Sequence, residues 1–226
     1  MNTGNFEMNL MNKHIWKHLW SIYTLSSRHV FELVKPPDTP ILIPVLFVCI
    51  ASTLILWVLM PILYSIIGVN SMDDSIIPAE LVEFSLTSIL ALVIWVPATV
   101  LALFVTLVLL GTYFFIIGRR FRIDIPWKHW LGFAAWINIP MVLTLFGTSL
   151  LSVWGHTLNP SPIFFVALIV IFITLPLVWA VVLCVQGLRI WTEKGMSFCV
   201  IVTVIPYFIY AVLTAVDIIY LAVQAW

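Results

Sequence analysis

Between Phe84 and Gly118 the sequence carries no charged side chain. As one helix this run of about 35 residues would measure roughly 50 Å, against a bilayer hydrocarbon core of about 30 Å. Part of it must cross a membrane and part must do something else. Divided at Pro97, Ala98 to Ile117 is long enough to cross, whereas Phe84 to Val96 is too short to cross separately. The expectation is a long tilted or kinked helix whose first turns rise from the outer surface. Across the 226 residues 63% are hydrophobic and 9% charged, outside the range of soluble domains, so the class is a polytopic membrane protein.

The predicted fold is all-α, a helical bundle with five transmembrane spans at about 41–67, 85–118, 130–153, 163–188 and 197–223. Residues 1–40 form a cytoplasmic N-terminal segment and 41–226 the membrane domain. The cations set the threading. Lys13, Lys17, Arg28 and Lys35 precede the first span, Arg119, Arg120, Arg122 and Lys128 share a mid-chain loop, and Arg189 and Lys194 flank a later one. Five spans put all of them on the cytoplasmic side, with the N-terminus inside and the C-terminus outside. Asp73, Asp74, Glu80 and Glu83 then fall outside. Trp127, Trp130, Trp154, Trp191 and Trp226 fall at span ends and read as interfacial anchors.

Before the first span, Trp16, Leu19, Trp20, Tyr23, Val30, Phe31 and Val34 recur at helical spacing, with Lys13 and Lys17 on another face. This predicts an amphipathic helix at the membrane interface, ended by Pro36, Pro37 and Pro40. The alternative is a helix packed on the protein itself.

Few residues could carry chemistry. Asp217 is the one carboxylate inside a predicted span and the candidate for an ion path, although it lies about 20 residues, roughly 30 Å, from Ser197 and so near the outer interface. Asn138 and Gln186 are expected to hydrogen-bond across helices. Pro97, Pro140, Pro176 and Pro206 should kink their spans, as hinges of a transporter or as fixed bends. His14 and His18 share a metal-compatible spacing but no third ligand is evident. Cys49, Cys184 and Cys199 read as buried free thiols. No phosphate-binding glycine loop, Walker lysine or CxxC pair is present, and zero net charge gives no electrostatic case for nucleic acid. Neither a cofactor nor enzymatic activity is expected.

From Trp127 onward the sequence resembles the Yip1 family of five-span membrane proteins. The resemblance is carried by Pro126-Trp127-Lys128, Ala134-Ala135-Trp136-Ile137-Asn138-Ile139-Pro140, Trp179 through Val185, Gln186-Gly187-Leu188-Arg189, Lys194-Gly195-Met196-Ser197 and Val204-Ile205-Pro206-Tyr207. It implies a membrane-embedded organiser without known catalysis. Eukaryotic relatives act in vesicle trafficking with Rab-type GTPases. Here Pro36-Pro37-Asp38-Thr39-Pro40 stands where an acidic-Leu-x-Gly-Pro-Leu motif would be looked for, and the first span opens at Ile41 without a long cytosolic domain before it. A bacterial-type inner-membrane member is therefore expected, and a GTPase partner is not. The functional expectation is a non-enzymatic scaffold or accessory subunit that contacts the lipid bilayer and itself or other membrane proteins. The alternative is a small ion-coupled transporter or permease using Asp217.

Overall fold

The computed structural model describes residues 21–22, 27–37, 39–67, 86–157 and 162–225. Every regular element among them is helical: α1 Ser27–Leu33, α2 Leu42–Leu54, α3 Met60–Ile67, α4 Leu86–Arg120, α5 Trp127–Asn138, α6 Met141–Thr157, α7 Pro162–Ile169, α8 Leu175–Thr192 and α9 Met196–Ala225. Four helical stretches are long and apolar enough to cross a membrane, over Leu42–Leu63, Leu92–Arg120, Ile163–Thr192 and Met196–Val216. A fifth crossing is made if Trp127–Asn138 and Met141–Leu151, which meet at 45°, form one broken span. The protein is an integral, multi-pass membrane protein.

Proline explains where the rods depart from straight α-helix. A proline has no amide to offer the carbonyl four residues back, and its ring crowds that carbonyl. The π turns Ile55–Leu59 and Val170–Thr174 join α2 to α3 and α7 to α8. Both end two residues before a proline, Pro61 and Pro176. In each, the amide preceding that proline reaches back five residues, Met60 to Ile55 and Leu175 to Val170, which widens the helix around the crowded carbonyl. At Pro140 the response is a break instead, and predicted span 3 becomes two helices rather than one. Around Pro97 and Pro206, α4 and α9 run on unbroken.

The core is centred on α5, whose residues from His129 to Ile137 are all buried. A helix apolar on every side must be covered on every side, and α2, α4 and α8 do so. Ile22 and the described residues between Ser27 and Ile41 add a further cover. α1 packs on α8, with Val30, Phe31 and Val34 buried. Where the sequence favours lipid as the partner of this apolar face, these three side chains lie against protein. Trp16, Trp20, Lys13 and Lys17, on the earlier part of the predicted helix, lie outside the described residues. The indole of Trp179 donates to the carbonyl of Ile22 at 2.8 Å and that of Trp191 to Phe31 at 3.3 Å. These tryptophans are about 18 Å apart along α8, so the strap follows the helix instead of touching only its end.

Candidate functional site

Every described cation lies in or beside a loop at one end of the bundle. Phe121 meets Phe198 edge-on at 4.7 Å between ring centroids, and Lys35 Nζ donates to Glu193 Oε1 at 2.9 Å. The described cations thus gather at one end of the fold.

Beneath this basic end lies a cluster of aromatic rings from four helices: Phe31 of α1, Phe114 of α4, Trp130 and Phe133 of α5, and Trp191 of α8. Phe133 is its hub, with centroids 5.2 Å from Phe114, 4.9 Å from Trp191, 5.8 Å from Trp130 and 6.0 Å from Phe31. Such pairs add about 0.5 to 1.5 kcal/mol each beyond area burial. Trp130 and Trp191 are 1% and 4% exposed. They are core residues, so their reading as interfacial anchors is corrected, while Trp127 stays exposed. Gly187 makes room for the cluster, since a Cβ there would lie 2.6 Å from Cε2 of Phe133 and 2.9 Å from Cε1 of Phe31. Sequence reasoning missed the cluster; the available signal was Trp130 and Phe133, three residues apart on one helix, opposite a glycine in α8.

Two open clefts flank the cluster. One, of about 520 Å³, is walled by Phe115, Arg119, Arg122, Asp124 and Trp127 among others. The second, of about 590 Å³, is walled by Arg28, Glu32, Gln186, Arg189, Ile190 and Glu193. Arg119 lies with its Cζ 5.7 Å from the Phe115 ring centroid, and Arg120 is exposed at the end of α4. Arg122 has φ 57°, the left-handed conformation that usually follows a helix as glycine. Its amide donates to Arg119 O at 3.2 Å and the next amide, of Ile123, to Gly118 O at 2.9 Å, the bond pair that closes a helix end. Glu193 ends α8 in the same conformation, φ 55°. The hydrogen bond from Lys35, and then its charge, hold the Glu193 carboxyl below the usual carboxylate range.

Within the spans, polar groups act as clasps. Tyr113 Oη of α4 donates to Val202 O of α9 at 2.8 Å, and Thr203 Oγ1 donates to Cys184 Sγ at 3.2 Å. The three cysteines are buried and free. Asn138 Nδ2 donates to Ala134 O at 2.7 Å, on its own helix rather than across helices, because α5 ends there and the side chain folds back over the last turn. Gln186 is half-buried and faces the second cleft. Asp217 is a position of α9, with its side chain outside the described set.

The family model of the Yip1 domain matches residues 20–216. The chain belongs to the Yip1 family. Its Yip1 domain therefore takes in the N-terminal strap as well as the spans, and the match stops one residue before Asp217. The stretches that carried the resemblance are packing residues of this domain: Ala134 to Ile137 are fully buried, Trp136 Nε1 donates to Pro40 O at 3.2 Å, and Gly187 receives Phe31 and Phe133. Comparison with curated proteins and with solved structures gave no significant match.

Proposed function

We propose that this Yip1-domain protein is a non-enzymatic scaffold or accessory subunit of a membrane complex. In this reading it sits in a bacterial inner membrane with its basic end and N-terminus in the cytoplasm and its C-terminus outside. One observation carries the proposal: at Pro206 and Pro140 the carbonyl that the proline leaves without its helical donor is taken up by another group. Val202 O, four residues before Pro206, is held by Tyr113 Oη, and Trp136 O, four before Pro140, by the Ile139 amide at 3.4 Å. Prolines tied down in this way suit fixed bends of a rigid platform better than the hinges of alternating access. Apolar rows on α4 and α9, including Leu101, Leu109, Phe208 and Leu213, are exposed and available to lipid or to partner helices.

Purification of the full chain in mild detergent should retain a stoichiometric membrane partner or a homo-oligomer; a clean monomer that recovers nothing argues against the scaffold. The permease alternative, which Asp217 motivates, is tested by liposome flux. Equal, background-level flux in wild type and Asp217→Asn retires it.

A further inference from the structure

We propose that the cleft beneath the α4 to α5 turn binds the headgroup of an amine-bearing phospholipid, with ethanolamine phosphodiester as the recognised chemistry. This inference does not rest on the scaffold reading.

Four observations converge. Arg119 and Arg122 wall the cleft. Among the described residues the ion pairs are Arg28–Glu32 and Lys35–Glu193, so both guanidiniums keep their donors for an anion. A phosphodiester presents oxygens that suit such forked donors. Arg122 occupies a left-handed position that glycine would take without strain. The turn therefore holds a guanidinium at a conformational cost, and the closing bonds from Arg122 and Ile123 fix where that side chain leaves the backbone.

The third observation is Trp127. Its Nε1 donates to Thr112 Oγ1 at 3.1 Å, which anchors the exposed indole in the wall at the start of α5. There an aromatic ring can pack on the glycerol and upper acyl region of a lipid. The fourth is Asp124, a carboxylate in the same wall. An isolated phosphate would be repelled by it, whereas a headgroup carrying a primary ammonium beside its phosphate meets both signs of charge. A quaternary choline lacks N–H donors for the carboxylate, and a glycerol headgroup lacks the cation. The volume, about 520 Å³, is within the range of small-molecule sites.

The test uses the delipidated full chain in mild detergent, titrated with short-chain phosphatidylethanolamine, phosphatidylcholine and phosphatidylglycerol, with bound lipid counted by native mass spectrometry. Wild type is expected to retain the ethanolamine lipid at least about tenfold more tightly than the other two, the size expected of a charge-assisted contact. Arg122→Gly removes a guanidinium while suiting the turn better than arginine, so it should lose that retention with the melting temperature unchanged or raised. Asp124→Asn should bring phosphatidylglycerol up to parity. Equal retention of all three lipids by wild type, or full retention by Arg122→Gly, overturns the proposal. Soluble glycerophosphoethanolamine is the source control. If it displaces the lipid at equal concentration, the phosphodiester is taken from water, and the lipid assignment fails.

Discussion

The hydroxyl of Tyr113 lies 2.8 Å from the carbonyl of Val202, the carbonyl that Pro206 cannot serve from one turn further along α9. A side chain of one span thereby completes the backbone of another. Tyr113→Phe should cost about 0.6 to 2 kcal/mol of stability in detergent. In a Pro206→Ala background the restored amide serves the same carbonyl, and the cost should shrink toward zero. Equal losses in the two backgrounds, measured as a double-mutant cycle, would refute the pairing.

Glycine positions differ sharply in what a methyl group would meet. At Gly147 of α6 a Cβ would lie 2.5 Å from Phe172 Cβ and 3.1 Å from its carbonyl oxygen, the one that Pro176 leaves unserved; at Gly195 it meets nothing within 4 Å. Gly147→Ala should destabilise by about 1 to 3 kcal/mol and Gly195→Ala by no more than about 0.5 kcal/mol. Thermal midpoints of the two variants make the comparison, and a harmless Gly147→Ala would mean that α6 stands further from the π turn.

The strap and α8 share one contact that mutations should reveal as non-additive. Phe31→Ala opens a hole in the aromatic cluster, for about 3 to 5 kcal/mol, and Gly187→Ala alone crowds it. Together they should cost less than the sum, because the methyl at residue 187 fills space that Phe31 vacates. Strict additivity in chemical unfolding would show that the strap does not dock on Gly187.

How much of this was legible beforehand divides along physical lines. The apolar spans, their sidedness and the need for bends at prolines follow from solvation and backbone chemistry, which act on each residue locally. Whether Trp130 and Trp191 meet lipid or each other depends on residues far away in sequence, and both environments accept an indole. The apolar face of the strap posed the same choice between lipid and protein, and Val30, Phe31 and Val34 took protein. Arg122 was visible as a cation, but its left-handed backbone and its place beside Asp124 come from how α4 ends.

Acid should loosen the link between strap and loop. The Glu193 carboxyl is lower in the folded protein than its ordinary value, through the Lys35 hydrogen bond and charge. Its contribution is therefore present above the unfolded carboxylate range and lost as pH falls through the depressed folded value. Between about pH 6 and about pH 3 the melting temperature of wild type should drop slightly more than that of Glu193→Gln. Both side chains are well solvated, so added salt should erase most of the difference. Identical pH profiles at low salt would sink the prediction.

Exposed Lys128 and Lys194 share the basic end. With that end in the cytoplasm, a membrane-impermeant amine reagent applied to intact cells should modify neither, and permeabilised cells should show both. Labelling of either from outside would invert or break the proposed threading.

Each π turn takes one residue more than the α-helix it interrupts, and that surplus swings everything after it by about 100° around the axis. Trp179, Gly187 and Trp191 all lie downstream of Val170–Thr174. Wound as uninterrupted α-helix, the same residues would turn them away from the strap relative to α7 and bring the outward row of Leu175 and Val178 round toward the interior. Inside and outside along α8 are thus a matter of phase, set by one extra peptide unit.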